Sequence, residues 1–211
     1  MTVTYAPFEP RARLAASADH SPALHPATLL AALSVVSALF TNAFPGPAAG
    51  PANFQFPALP GVYFGLVLVA GTACWATTRW WRLLAVFAAV NAGWAAAYVA
   101  SDHAYGGSVG GTFWSCGLLG GAIGAILTIA GIACASPNFR TFDNFVRTFV
   151  IGAVAGLLLE CGADPAAHDA LPIHVGSLLP LFVVWQAGVA ASIAYGLTTP
   201  TRCLAGVEVI E

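Results

Sequence analysis

Six apolar runs set the frame for this chain, at about 27–44, 61–78, 83–100, 111–135, 145–163 and 175–199. A helix rising 1.5 Å per residue needs about 20 apolar residues to cross roughly 30 Å of hydrocarbon. Helix is the form that lets such a segment satisfy every backbone N–H and C=O internally, where water is absent. The runs therefore predict an all-α fold, a polytopic integral membrane bundle of six transmembrane helices. The composition agrees, with 58% hydrophobic and 8% charged residues and a mean hydropathy of +0.79, against about a quarter charged in an ordinary soluble domain. Residues 27–199 read as one transmembrane domain, preceded by a segment 1–26 and followed by a tail 200–211. The first run reads as a span rather than a signal peptide, because Arg11 and Arg13 lie far upstream of its apolar core.

The arginines orient the bundle. Arg11 and Arg13 precede the first run, Arg79 and Arg82 separate the second from the third, Arg140 and Arg147 mark the passage from fourth to fifth, and Arg202 follows the sixth. With six spans all of these fall on one side, and the loops 45–60, 101–110 and 164–174 contain no Arg. The positive-inside rule then places both termini in the cytoplasm, N-in and C-in. Trp80 and Trp81 beside Arg79 and Arg82, and Phe139 and Phe142 beside Arg140, have the placement of an inner aromatic belt. Phe54, Phe56, Tyr63, Tyr105 and Trp114 are candidates for the outer one. The prolines of the 44–61 loop favour an extended, stiff cap, and the GGSVGG of 106–111 a flexible connection.

Several function classes lose support at once. All seven basic residues are Arg, so there is no lysine for a Schiff base, a P-loop or a nucleophile. A net charge of −2 speaks against nucleic acid as a partner. No CxxC or HExxH occurs, and no histidine lies within an apolar run to serve an intramembrane protease or a buried haem. The chain is accordingly not expected to be an enzyme, and a redox or metal enzyme ranks third among the readings below.

Small residues recur in the later runs: Gly117, Gly120, Gly121 and Gly124 in the fourth, Gly152 and Gly156 in the fifth, Gly188 and Ser192 in the sixth. Such spacing lets helix backbones approach closely, where lipid supplies no hydrophobic drive between helices. Packing within the chain is the preferred reading, and a homo-oligomer or a membrane-protein partner on the Gly-rich faces is the alternative.

Two amides lie near mid-membrane, Asn91 and Gln186, each beside an indole, Trp94 and Trp185. An amide in hydrocarbon must find a partner, in another helix, a carbonyl or a ligand. These four residues form the first candidate binding site, with Glu160 at its outer side. Ser34, Ser37 and Thr72 lie at similar depth, but hydroxyls bond back to their own helix too readily to count as signals.

The second candidate site is on the outer face. The stretch LLLECGADPAAHDALPIH (157–174) crowds Glu160, Asp164 and Asp169 together with His168 and His174, with Asp102 and His103 on the neighbouring outer loop and no Arg nearby. Glu160 and Asp164 stand at the C-terminal end of a predicted helix, where the dipole disfavours carboxylates, and at i, i+4 they repel. A protonated histidine, proton uptake by Glu160 or a bound divalent cation relieves this. Glu160, Asp164, His168, His174, Asp102 and His103 are the candidate metal ligands, a carboxylate–imidazole set of the kind that suits Zn, Mn or Fe. The competing reading is a solvated acidic rim with Glu160 reaching to the interface.

The first functional reading is transport or capture of a small solute or cation from the outer side, in a bacterial inner membrane. The second is a non-catalytic accessory or assembly subunit of a membrane complex, which the scarcity of ionisable groups in the spans favours. Lipid is the one partner both require. Cys116 and Cys161 fall at similar outer depth, so a disulfide between them requires Cα atoms within about 7 Å, and the preferred reading is of cysteines as ordinary small apolar residues of a membrane core. The orientation makes a direct prediction. An impermeant thiol reagent added outside should leave a single cysteine at position 140 unlabelled and label one in the 45–60 loop; labelling at 140 overturns the six-span frame.

Overall fold

A computed structural model describes residues 25–44, 46, 48–49, 56–76, 78–106, 113–159 and 179–199. The described chain forms α1 (Pro26–Ala43), α2 (Leu59–Trp75), α3 (Trp80–Gly106), α4 (Phe113–Ala135), α5 (Phe142–Gly156) and α6 (Leu179–Thr198). A 3₁₀ turn at Pro137–Phe139 joins α4 to α5. Between α1 and α2, Ala48–Ala49 pairs antiparallel with Phe56–Pro57 over two residues. Gly46 opens that loop at φ +79, where a side chain would also strike Leu59.

Four helices, α1, α3, α4 and α6, are long and apolar enough to cross a membrane, and α2 is a shorter apolar helix of 17 residues. These are the features of a membrane protein, and large apolar side chains face outward along the helices, among them Leu33, Val36, Leu66, Leu84, Ile126 and Val154. Local chemistry explains the boundaries. Pro26 and Pro60 stand in the first turns of α1 and α2, where the missing N–H costs nothing. The Thr141 hydroxyl accepts from the Asn144 N–H to cap α5. Helix α3 is longer than the 83–100 expected, beginning at Trp80 and running through Ser101, Asp102 and His103 to Gly106. No proline or glycine pair interrupts that stretch, so the polar residues extend the helix instead of starting the loop expected at 101. Helix α5 is shorter than the 145–163 expected: it starts at the Thr141 cap and gives way at Leu157 and Leu158 to a turn bonded to Val154 and Ala155.

Each helix packs on its sequence neighbour, and α6 closes the ring by packing along α1 while also touching α2 and α4. The core follows from that position, with Leu30, Leu68, Val86, Ile132, Val189, Ile193 and Phe139 essentially without exposed surface. Phe139 is therefore a core residue, packed on Gly196, and not part of an aromatic belt; its ring fills the space a side chain at Gly196 would take. Trp80, Trp81 and Phe142 do lie outward, as a belt requires.

The glycines are spent inside the chain. A methyl group at Gly117 or Gly156 would overlap the other's carbonyl oxygen, and one at Gly121 would overlap that of Gly152. Gly120 lies against Ser101, Gly124 against Trp185, and Gly93 against Gly124, so α3, α4 and α5 meet almost backbone to backbone. The Ser101 hydroxyl adds a bond of 3.0 Å to the Cys116 carbonyl across the same seam. Gly121→Leu should therefore lower stability in detergent by about 2 kcal/mol or more through overpacking, read by thermal or SDS unfolding. The outward-facing Ala70→Val should leave it unchanged, and equal behaviour of the two would refute the close α4–α5 contact.

Candidate functional site

Gln186 lies in the first half of α6 and is 3% exposed. Its Nε2 donates to the Thr41 hydroxyl of α1 at 3.5 Å, while its Oε1 is buried without a hydrogen-bond partner among the described residues. Thr41 belongs to a buried stripe on α1 with Leu30, Ser34, Ser37 and Ala38, spaced as one helix face. The hydroxyls of Ser34 and Ser37 are likewise buried and without partners among the described residues. Thr72 shows the alternative, since its hydroxyl returns to the Leu68 carbonyl at 2.7 Å. Buried polar atoms in folded proteins are nearly always bonded to protein or to ordered water. Two orphans on the α1 face and one on the α6 amide bonded to that face through Thr41 therefore mark a place where the helix packing leaves hydrogen-bonding capacity unspent.

Trp185 holds Gln186 in place. Its Nε1 donates to the Gly121 carbonyl at 3.4 Å, and its ring stands edge-on to Phe64 with centroids 5.5 Å apart. The indole fits there because Gly124 and Gly152 have no side chains. Asn91 faces elsewhere. Its Nδ2 donates to the Phe87 carbonyl of its own helix at 2.8 Å, and its amide lies against Gly61 and Gly65 of α2. Trp94 packs on Gly61 and on Phe182 of α6, with ring centroids 5.5 Å apart. The two amides proposed as one midplane site thus turn to different helices, Asn91 to α2 and Gln186 to α1, and the aromatic group of Phe64, Trp94, Phe182 and Trp185 bridges α2, α3 and α6.

Of the outer cluster, Asp102 and His103 are exposed on the last turns of α3. Glu160, Asp164, His168, His174 and Cys161 lie outside the described residues. Among the described residues no three His, Cys, Asp or Glu side chains converge on a metal position. Cys116 is buried near the start of α4.

A third polar group had not been singled out in the sequence. On α5 the Arg147 guanidinium donates from Nε to the Ser192 hydroxyl at 3.0 Å, and from Nη2 to Asn144 Oδ1 at 2.7 Å and the Ser192 carbonyl at 3.0 Å. Thr148 and Ser192 share a hydroxyl–hydroxyl bond of 2.7 Å, and the guanidinium carbon stands 4.4 Å from the Tyr195 ring centroid. Asn144, Arg147 and Thr148 at i, i+3, i+4 form one helix face that the sequence carries, but a lone Arg beside an inner loop reads first as an orientation charge.

No protein-family model, curated protein or solved structure matches this chain. The site must be judged on its own chemistry. If Gln186 is a packing residue in a dry seam, removing both polar partners with Thr41→Val/Gln186→Leu should be neutral or stabilise by about 1 kcal/mol. Thr41→Val alone should destabilise by about 1–3 kcal/mol, because it strands a buried amide donor. Unfolding of the three proteins in one detergent measures this, and a stabilising single Thr41→Val would show that the amide is solvated.

Proposed function

We propose that the chain is a six-span membrane protein with both termini in the cytoplasm, which admits a small polar solute between α1 and α6. The observation that carries this reading is the set of buried acceptors and donors, unpartnered among the described residues, formed by Gln186 Oε1, Ser37 Oγ and Ser34 Oγ. Each orphan costs about 1–3 kcal/mol of desolvation unless a mobile partner such as water or solute meets it. Packing alone offers no reason to keep two on the α1 stripe and a third on α6, bonded to that stripe through Thr41, when Thr72 at comparable burial satisfies itself on its own helix.

Trp185 and Phe64 would form the wall of this site, and Asn91 with Trp94 would shape its outer approach from α3. The carboxylates and histidines of 160–174, together with Asp102 and His103, are proposed as the outer mouth, where a net negative field concentrates cations or polar solutes. The proposed setting is a bacterial inner membrane, with the arginine-bearing ends of the helices inside.

A second reading, an accessory subunit of a membrane complex, draws on one observation. Among the described residues no carboxylate or histidine lies in a helix away from its ends, whereas a coupled transporter usually carries such a group.

Flux into liposomes separates the two. Purified protein reconstituted at known density should speed the shrinkage or reswelling of vesicles with at least one member of a panel of urea, glycerol, ammonium and monovalent cations. Gln186→Leu should reduce that flux about tenfold, the equivalent of about 1.4 kcal/mol, in protein that still extracts and unfolds normally. Flux equal to protein-free liposomes for every solute rejects transport, and a stoichiometric partner in gently extracted native membranes then supports the accessory role.

A further inference from the structure

The Arg147 group is unusual for where its charge goes. Five N–H bonds radiate from a guanidinium. Those on Nε and Nη2 are spent on Ser192 and Asn144, all neutral acceptors, and the ring of Tyr195 covers the flat face. The two N–H groups of Nη1 have no acceptor among the described residues. Asp143, four residues away on the same helix, is near enough to act on this charge electrostatically but forms no salt bridge with it among those residues. A fixed, half-buried positive charge is thus held rigid on one flank and left open on the other.

The position is equally informative. Arg147 lies in the second turn of α5, and Ser192 and Tyr195 lie in the last two turns of α6, so the guanidinium stands near the helix ends rather than at mid-membrane. Tyr195 is 48% exposed and Phe142 78% exposed, so the group opens on the outward surface of the bundle. Arg79, Arg82 and Arg140 share this end of the bundle, against Asp143 as the one carboxylate of the described residues there. On the orientation proposed above it is the cytoplasmic interface, where anionic lipid collects basic side chains.

We infer that Arg147, braced by Ser192 and Asn144 and stacked on Tyr195, is a binding site for an anionic phosphate group. The two open N–H groups of Nη1 supply the donors, and the Thr148–Ser192 hydroxyl pair holds the Ser192 oxygen that accepts from Nε, so that the guanidinium is kept in place. Arginine suits this task because its planar fork matches phosphate oxygens and never loses its proton. The shared chemistry has two sources, the headgroup of an anionic phospholipid at the inner leaflet and free inorganic phosphate. The outward opening beside Tyr195 favours the lipid. The site is on the α5-facing side of α6, apart from the Gln186 seam, so it operates whether or not a solute passes there.

Native mass spectrometry of the full chain released from nanodiscs tests the site. Protein from discs with equal phosphatidylglycerol and phosphatidylcholine should retain phosphatidylglycerol in preference, by about fivefold for one arginine at a charged surface. Arg147→Gln should lose that preference, while Arg140→Gln, at an exposed linker position, should keep it. In discs of phosphatidylcholine alone, a rise in melting temperature with added inorganic phosphate that Arg147→Gln abolishes assigns the site to soluble phosphate. If Arg147→Gln fails to fold, the wild-type protein decides: equal retention of both lipids together with no response to phosphate overturns the inference. Retained preference in a folded Arg147→Gln protein overturns it as well.

Discussion

Helices in hydrocarbon gain little by hiding apolar surface from one another, since lipid tails are as apolar as leucine, so the bundle must be held by contacts that lipid cannot imitate. Here that contact is the approach of α4 and α5 at Gly117 with Gly156 and Gly121 with Gly152, where carbonyl oxygens occupy the space of absent side chains. The consequences run outward from it. Two glycine-faced helices leave a shallow groove, and the Trp185 ring enters it between Gly124 and Gly152 while its N–H reaches the Gly121 carbonyl. Trp185 fixes the rotation of α6, and the next residue, Gln186, is thereby turned to Thr41 on α1. A steric opening in α4 and α5 thus sets the polar chemistry two helices away.

The same logic explains why the polar groups sort into separate functions around α6. Its α1-facing side carries Gln186, Val189, Ala190 and Ile193, with orphaned hydroxyls opposite on α1. Its α5-facing side carries Ser192, whose hydroxyl and carbonyl are both engaged. One side has hydrogen-bonding capacity left over and the other has charge left over. Apolar residues fill most of the space between, so neither can satisfy the other.

Much of the frame was legible in the residues. Among the described residues the six apolar runs reappear as six helices, four of them long and apolar enough to cross a membrane, and Pro26, Pro60 and Thr141 mark starts that simple capping chemistry explains. The ends were less legible. Helix α3 continues through Ser101, Asp102 and His103 because nothing in that stretch opposes helix, and polarity alone does not end one. Phe139 looked like a belt residue from its neighbour Arg140, yet the 3₁₀ turn folds it under α6 against Gly196. The site was half visible. Asn91 and Gln186 stood out as amides in apolar runs, but which helix each faces depends on rotations set by distant glycines. Ser34 and Ser37 could not be told from Thr72 in sequence, because the difference is whether a hydroxyl has turned back on its own carbonyl.

Whether the α1–α6 seam is wet is the point on which the functional reading rests, and substituted-cysteine accessibility asks it directly. In a protein freed of its five native cysteines, a cysteine at Ser37 should react with a small charged thiol reagent supplied in water, and should slow when solute is present. A cysteine at Leu39, on the outward surface of the same helix, should stay inert. A Ser37 position as unreactive as Leu39, in folded protein and from both sides of the membrane, would contradict a hydrated seam and leave Gln186 as a packing residue.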